Sequence, residues 1–159
     1  TREFYLKLID KFRNIKKDIE FSSDFIVGYP GETDKDFEDT LNLVDKVKFS
    51  NSYSFVYSQR PGTPAVDFDQ IPKEVSANRL EILQNKLFDL QRKFNDSKVN
   101  SKTKVLVENI TKQGNQFFGR NEYMQPVFIE GNKCTPGQIE IIDVKSSNRH
   151  NLWGTVDSN

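Results

Sequence analysis

The stretch Phe25-Ile26-Val27-Gly28-Tyr29-Pro30-Gly31-Glu32-Thr33 restricts the fold more than any other part of the 159-residue chain. Three apolar residues in succession read as a strand buried on both faces, the pattern of a parallel sheet. Gly-Tyr-Pro-Gly stops that strand. Thr33, with Asp36 three residues on, forms a capping box, so a helix starts there. Acids in its first turn suit the positive end of the helix dipole, and Phe37, Leu41, Val44 and Val47 then mark one helical stripe. A strand that turns directly into a helix needs a parallel neighbour. Residues 51–58, with Tyr53, Phe55 and Tyr57 alternating with smaller residues, supply it. Upstream, residues 1–17 place Phe4, Leu8, Phe12 and Ile15 at helical spacing, with Tyr5 and Ile9 beside them and Thr1 as N-cap. Helix, strand, helix, strand is a βα repeat. It is too short to close anything, so the α/β part reads as a partial βα barrel.

Ile71-Pro72 opens a longer helix, about 73–97, with Leu80, Leu83, Leu87, Leu90 and Phe94 along one face. After Asn100 the texture changes. "KTKVLVENI", "QFFGRN", "MQPVFIE", "GQIEIIDVK" and "LWGTVD" are short β-rich runs between Gly, Asn and Lys turns. They suit a small all-β barrel of about five strands. A domain boundary is expected near residue 100.

Charge bears on partners. Lys and Arg total 23, Asp and Glu 23, and the net charge of zero argues against a generally basic nucleic-acid coat protein. The distribution is uneven. Between Asp18 and Asp45 there are nine acids (Asp18, Glu20, Asp24, Glu32, Asp34, Asp36, Glu38, Asp39, Asp45) against Lys35 alone, whereas Lys73–Lys104 holds eight bases and four acids. A solvated acidic helix and a solvated basic one explain this as well as a phosphate-attracting segment does. One cysteine, Cys134, excludes an internal disulfide, and with one histidine it cannot fill a zinc site without several carboxylates. No stretch is long and apolar enough to span a membrane and no signal-like segment is visible. A cytoplasmic protein is the default expectation. The chain opens with Thr1 inside an apparent helix, so a longer parent is expected.

Several residues are candidates for a site. In a βα barrel, ligands sit at the C-terminal ends of the strands. Gly28 and Gly31 would let backbone approach a ligand, or simply serve a tight turn. Asp24, just before the apolar run, is either a hydrogen-bond acceptor for a ribose or amine or a surface acid. Arg60, in "YSQRPGTPA", is either a bidentate carboxylate clamp or the partner of Asp67 or Asp69. Cys134 and His150 have no catalytic neighbours. Phe117, Phe118 and Trp153 are interleaved with bases in the β-rich part, yet residues 105–159 hold five bases and six acids. Core packing is the commoner role for such aromatics.

The order of these pieces is more specific than any one of them. "TREFYLKLIDKFR", "SSDFIVGYPGETDKDFEDTLNLVDKVKF", "SYSFVYSQRPGTPA", "VLVENITKQGNQFFGRNEYMQPVF" and "NLWG" together resemble the C-terminal half of the radical SAM methylthiotransferases. The tRNA-modifying branch is the most similar, through "FGRNEYMQPVFIEG"; the acidic Pro-Glu-Ile-Asp-Gly stretch of the ribosomal-protein branch is absent. The resemblance implies the end of a radical SAM barrel over 1–72, a linking helix over 73–100 and an OB-like TRAM barrel over 101–159. It also implies a parent enzyme with S-adenosylmethionine (SAM) and two 4Fe–4S clusters that adds a 2-methylthio group to isopentenyladenosine beside the anticodon. One SAM would be cleaved to a radical and another would supply the methyl group.

By the same resemblance, Asp24, Ile26, Gly28, Tyr57, Ser58 and Arg60 are candidates to bind SAM. Lys102, Lys104, Arg120, Asn121, Lys133 and Arg149 are candidates to bind a tRNA anticodon stem-loop. The departure is in the cysteines: the three-cysteine cluster motif and the auxiliary-cluster cysteines are absent. No metal ligand and no catalytic residue is assigned in this chain, which is expected to be inactive alone and to need the N-terminal part of the polypeptide. Exposed barrel edges would favour self-association. The alternative is a stand-alone RNA-binding TRAM module without catalysis.

Overall fold

A computed structural model describes residues 1–112, 114, 116–131 and 134–157. The chain forms two compact units, Thr1–Leu90 and Gln91–Asn159, and the division falls inside one long helix.

Unit 1 opens with α1 (Arg2–Ile15), capped by the Thr1 side chain accepting from the backbone N–H of Phe4. Strand β1 (Ser22–Val27) pairs in parallel with β2 (Asn51–Val56), and α2 (Asp34–Val47) crosses between them. The capping box at Thr33 forms in full: Asp36 N–H donates to the Thr33 hydroxyl at 3.2 Å and Thr33 N–H donates to the Asp36 carboxylate at 2.9 Å. Helix α3 (Lys73–Asp96) follows a short 3-10 turn over Pro64–Asp67. The core gathers Phe25 and Val27 from β1, Phe37, Val44 and Val47 from α2, and Leu83 and Leu87 from α3, with Ile9 and Phe49.

Two expectations are corrected here. The apolar run of β1 is covered on one face only: Phe25 and Val27 are buried, while Ile26 between them is 59% exposed. Alternation along a strand sends neighbouring side chains to opposite faces, and the described helices pack on one of them. In α1, Ile9 enters the core with Tyr5 and Leu6 against it, while Phe4, Leu8, Phe12 and Ile15 are exposed. The helix is rotated so that the neighbouring stripe faces inward.

Unit 2 is a closed barrel of β3 (Lys102–Ile110), β4 (Gln116–Asn121), β5 (Pro126–Glu130), β6 (Ile139–Ser147) and β7 (Leu152–Val156), in the order β3-β4-β5-β7-β6 with β6 returning to β3. The pairings are antiparallel apart from β5 with β7. This is a small all-β barrel of the OB-like kind. Val105, Val107, Val127, Ile129, Ile142 and Leu152 fill it with no exposed surface. Gly154 is required by close approach: a Cβ there would overlap the carbonyl oxygen of Asp143 and the side chain of Ile142. No described helix is long and apolar enough to cross a membrane.

Candidate functional site

The C-terminal ends of β1 and β2 lie side by side. Ile26 pairs with Phe55 and Val27 with Val56, and Tyr57 N–H donates to the Val27 carbonyl at 2.8 Å, so Gly28 and Tyr57 are neighbours. Asp24 and Ile26 share the open face of the sheet with Tyr53 and Phe55. Of the six cofactor candidates, Asp24 and Ile26 lie on β1, and Gly28 and Tyr57 directly follow the ends of β1 and β2. Ser58 and Arg60 follow on the exposed loop. Arg60 has no ion pair among the described residues, and its carbonyl accepts from the Thr63 N–H and hydroxyl, closing a turn.

Tyr57 is half-buried beside this loop. Its ring packs edge-on against Tyr29 at 5.0 Å, and its hydroxyl oxygen is buried without a hydrogen-bond partner among the described residues. A buried hydroxyl left unpaired is costly.

Sequence reasoning missed what holds this loop in place. Gly28 has φ +72°, which favours glycine, and Ser76 of α3 occupies the space a Cβ would need. Its N–H donates to Glu32 Oε2 at 3.0 Å, and Glu32 Oε1 accepts from Arg79 Nη1 at 2.6 Å. Arg79, on α3 and buried, also donates to the Glu32 carbonyl at 3.1 Å and to Asp34 at 2.7 Å. The hydrogen bond to Asp34, then that to Glu32, raises the pKa of Arg79 against the opposing effect of burial. Lys86 likewise binds Asp45 at 2.7 Å. The acidic segment and the basic helix therefore neutralise each other inside unit 1, at least at these pairs. The uneven charge of the sequence is partly structural.

The RNA candidates fall into separate places. Lys102 is tied to Asp157 at 2.7 Å, while Lys104, near it on β3, is exposed and unpaired among the described residues. Arg120 binds both oxygens of Glu108 at 2.5 and 2.7 Å and lies 5.4 Å above the Phe118 ring. Arg149 is exposed on the β6–β7 hairpin, and its Nε donates to His150 Nε2 at 2.9 Å. Lys133 lies outside the described residues.

Asn121 lies inside the barrel unit rather than on its surface. It is 4% exposed, and its amide nitrogen donates to Gln125 at 2.7 Å while its Oδ1 accepts from the backbone N–H groups of Tyr123 and Gln125. Gln125 in turn donates to Asn95, which donates to the carbonyls of Asn148 and Arg149. A polar residue at the end of a strand reads as surface, but this one anchors a buried amide chain. Cys134 is buried in the barrel core, and burial, then Glu140, pushes its thiol pKa up. Among the described residues no group of three or more His, Cys, Asp or Glu could hold a metal ion.

The molecule is thus a parallel βα unit joined through one helix to an OB-like barrel. No protein-family model matches the chain. It is 48% identical over 156 residues, 98% of its length, to the tRNA-2-methylthio-N(6)-dimethylallyladenosine synthase of Pelagibacter ubique. Proteins of the same name from Rickettsia conorii and Rickettsia canadensis are 46% and 50% identical over 98% and 91% of the chain. These matches cover 35%, 35% and 32% of the relatives, so the chain spans about a third of their length. Over that span the chain is similar to these synthases.

Proposed function

We propose that this chain is the C-terminal part of a cytoplasmic tRNA methylthiotransferase that adds a 2-methylthio group to N6-dimethylallyladenosine (isopentenyladenosine) beside the anticodon. The observation that carries the reading is the 48% identity sustained over 98% of the chain. In this reading residues 1–72 end a radical SAM βα barrel, 73–100 link, and 101–159 form the TRAM domain that engages the tRNA. SAM and two 4Fe–4S clusters supply the radical and methylthio chemistry of the parent. The donor set here does not fit a cluster, since the chain has one cysteine and that one is buried. In this reading Asp24, Ile26, Gly28, Tyr57, Ser58 and Arg60 would line part of a SAM pocket. Arg60 would face a carboxylate or phosphate, Asp24 would accept from a ribose or amine, and Tyr57 would pack beside them.

The test is a chimera. Replace the matching third of the Pelagibacter synthase with this chain and measure methylthiolated nucleosides in tRNA by mass spectrometry. Product formation is expected, with loss on Arg60→Met. A folded, cluster-loaded chimera that yields no methylthiolated nucleoside would refute the proposal.

A further inference from the structure

Unit 2 carries three large aromatic side chains that its core does not use. Phe117, Val127 and Leu152 point into the barrel, so their chain neighbours Phe118, Phe128 and Trp153 point outward. The register sets them side by side: Phe118 faces Phe128 across β4–β5, and Phe128 faces Trp153 across β5–β7. Ring centroids lie 5.4 and 5.8 Å apart, and the Phe128 and Trp153 planes are within 16° of parallel. All three are half-buried rather than sealed. The next position in the row is Ser146 of β6, directly opposite Trp153 and exposed. A bulge between Val144 and Ser146 places it there, and bulges re-aim side chains. The row of rings therefore ends beside a small, exposed residue.

Cations border this row. Arg120 lies over the Phe118 ring, Lys145 precedes Ser146 and is exposed at 3.9 Å from Asp143, and the 148–151 hairpin carries Arg149. The hairpin is pinned. Asn148 Oδ1 accepts from the N–H groups of His150 and Asn151, both at 2.8 Å, and Asn95 donates to the carbonyls of Asn148 and Arg149 at 2.8 and 3.0 Å. Flat rings beside held cations complement a strand whose bases stack and whose phosphates are negative.

We infer that Phe118, Phe128 and Trp153 form a stacking platform for unpaired bases of the RNA substrate, with one base seated over Ser146 and phosphates beside Lys145 and Arg149. This deepens the proposed function and rests on its tRNA-binding part. Paired bases hide their faces, so the platform selects a loop over a duplex. Because Glu108 shares the charge of Arg120, stacking contributes more to affinity here than that cation does.

Trp153 is the only tryptophan in the chain, which gives a direct readout. The 159-residue chain would be titrated with a labelled anticodon stem-loop and with a fully paired RNA of equal length, following RNA anisotropy and Trp153 emission together. Expected are quenching in step with stem-loop binding and weaker binding of the duplex. Phe128→Leu should weaken stem-loop binding by roughly tenfold. Ser146→Phe, which occupies that seat and leaves the three rings in place, should do the same while circular dichroism shows a folded barrel. Stem-loop binding with unchanged Trp153 emission and no effect of Ser146→Phe would overturn the platform and leave tRNA binding standing. No binding of either RNA would overturn the tRNA-binding part of the proposed function with it.

Discussion

Unit 2 closes its sheet and unit 1 does not, although both use strands rich in aromatic and β-branched residues. In unit 2, β3 pairs with β4 on one side and β6 on the other, and every strand has two neighbours. Its inward residues reach complete burial. In unit 1 two strands make the whole described sheet, and helices cover one face. Phe25 and Val27 are buried there while Ile26, Tyr53 and Phe55 face water. Hydrophobicity alone does not make a core. The pairing has to return on itself, or another layer has to cover the second face.

Closure predicts where each unit breaks. The largest effect is expected from Gly154→Val. The added side chain meets the Asp143 backbone, which barrel pairing holds fixed, so the cost is roughly 3 kcal/mol or more. Urea unfolding followed by Trp153 emission should shift to lower denaturant, while the helical signal of unit 1 persists. An unchanged Trp153 midpoint would mean that the barrel yields locally at this crossing.

The corresponding break in unit 1 is Arg79→Met. It removes the partner of Glu32, whose side chain is only 13% exposed, while Asp34 at 94% turns to water. Stranding one mostly buried carboxylate costs about 2 kcal/mol, below the range for a fully buried pair. Thermal unfolding by circular dichroism and proteolysis at the Gly28–Gly31 turn would report it. Both should change without a shift in Trp153 emission. Equal loss in both units would mean that α3 transmits the damage.

The contrast also explains what the sequence could reveal. The barrel strands are legible because alternation such as Val105, Val107 has one meaning once both neighbours are present. The α2 start is legible because Thr33 and Asp36 act locally. Ile26 is not: an apolar triplet reads the same whether one face of its strand is covered or two. Nor is Arg79, because its carboxylate partners lie 45 and 47 positions away and periodicity carries no such information. The burial of Asn121 is not legible either: its partner Gln125 is four residues on, but Gln125 is held by Asn95, 30 positions away. The orphaned Tyr57 hydroxyl has no sequence signal at all.

The open face of unit 1 makes a third, smaller prediction. Ile26 and Phe55 are adjacent across β1–β2 and more than half exposed, so two copies of the isolated chain should associate through them. Ile26→Ser with Phe55→Ser should weaken that association by about tenfold, since both side chains are already partly covered and only a fraction of the roughly 1.5–3 kcal/mol for full burial of each is at stake. Sedimentation across a concentration series would measure it. Association that survives the double substitution would move the contact elsewhere.

The smallest effects are electrostatic, and they separate the units by pH. In unit 1 the Thr33 hydroxyl, then the Thr33 N–H, lowers the Asp36 pKa below its ordinary 3.8. A depressed carboxylate stabilises above its unfolded pKa, and that contribution fades as pH falls through the folded value. In unit 2 the hydrogen bond to Asp157 raises the Lys102 pKa above its ordinary 10.5. A raised lysine stabilises fully below the unfolded value, and the contribution fades as pH rises through the folded one. Acid below about 3.8 should therefore loosen the start of α2, and alkali above about 10.5 should loosen the β3 end of the barrel. Backbone amide shifts at Thr33 and Lys102 would follow the two titrations, with Asp36→Asn and Lys102→Met each removing its own step. Both groups lie at the surface, so these steps should be visible in the local signals and nearly absent from the global unfolding midpoint. A global midpoint that moved with either step would show the charge to be coupled to its unit's core, which the exposed geometry of both groups opposes.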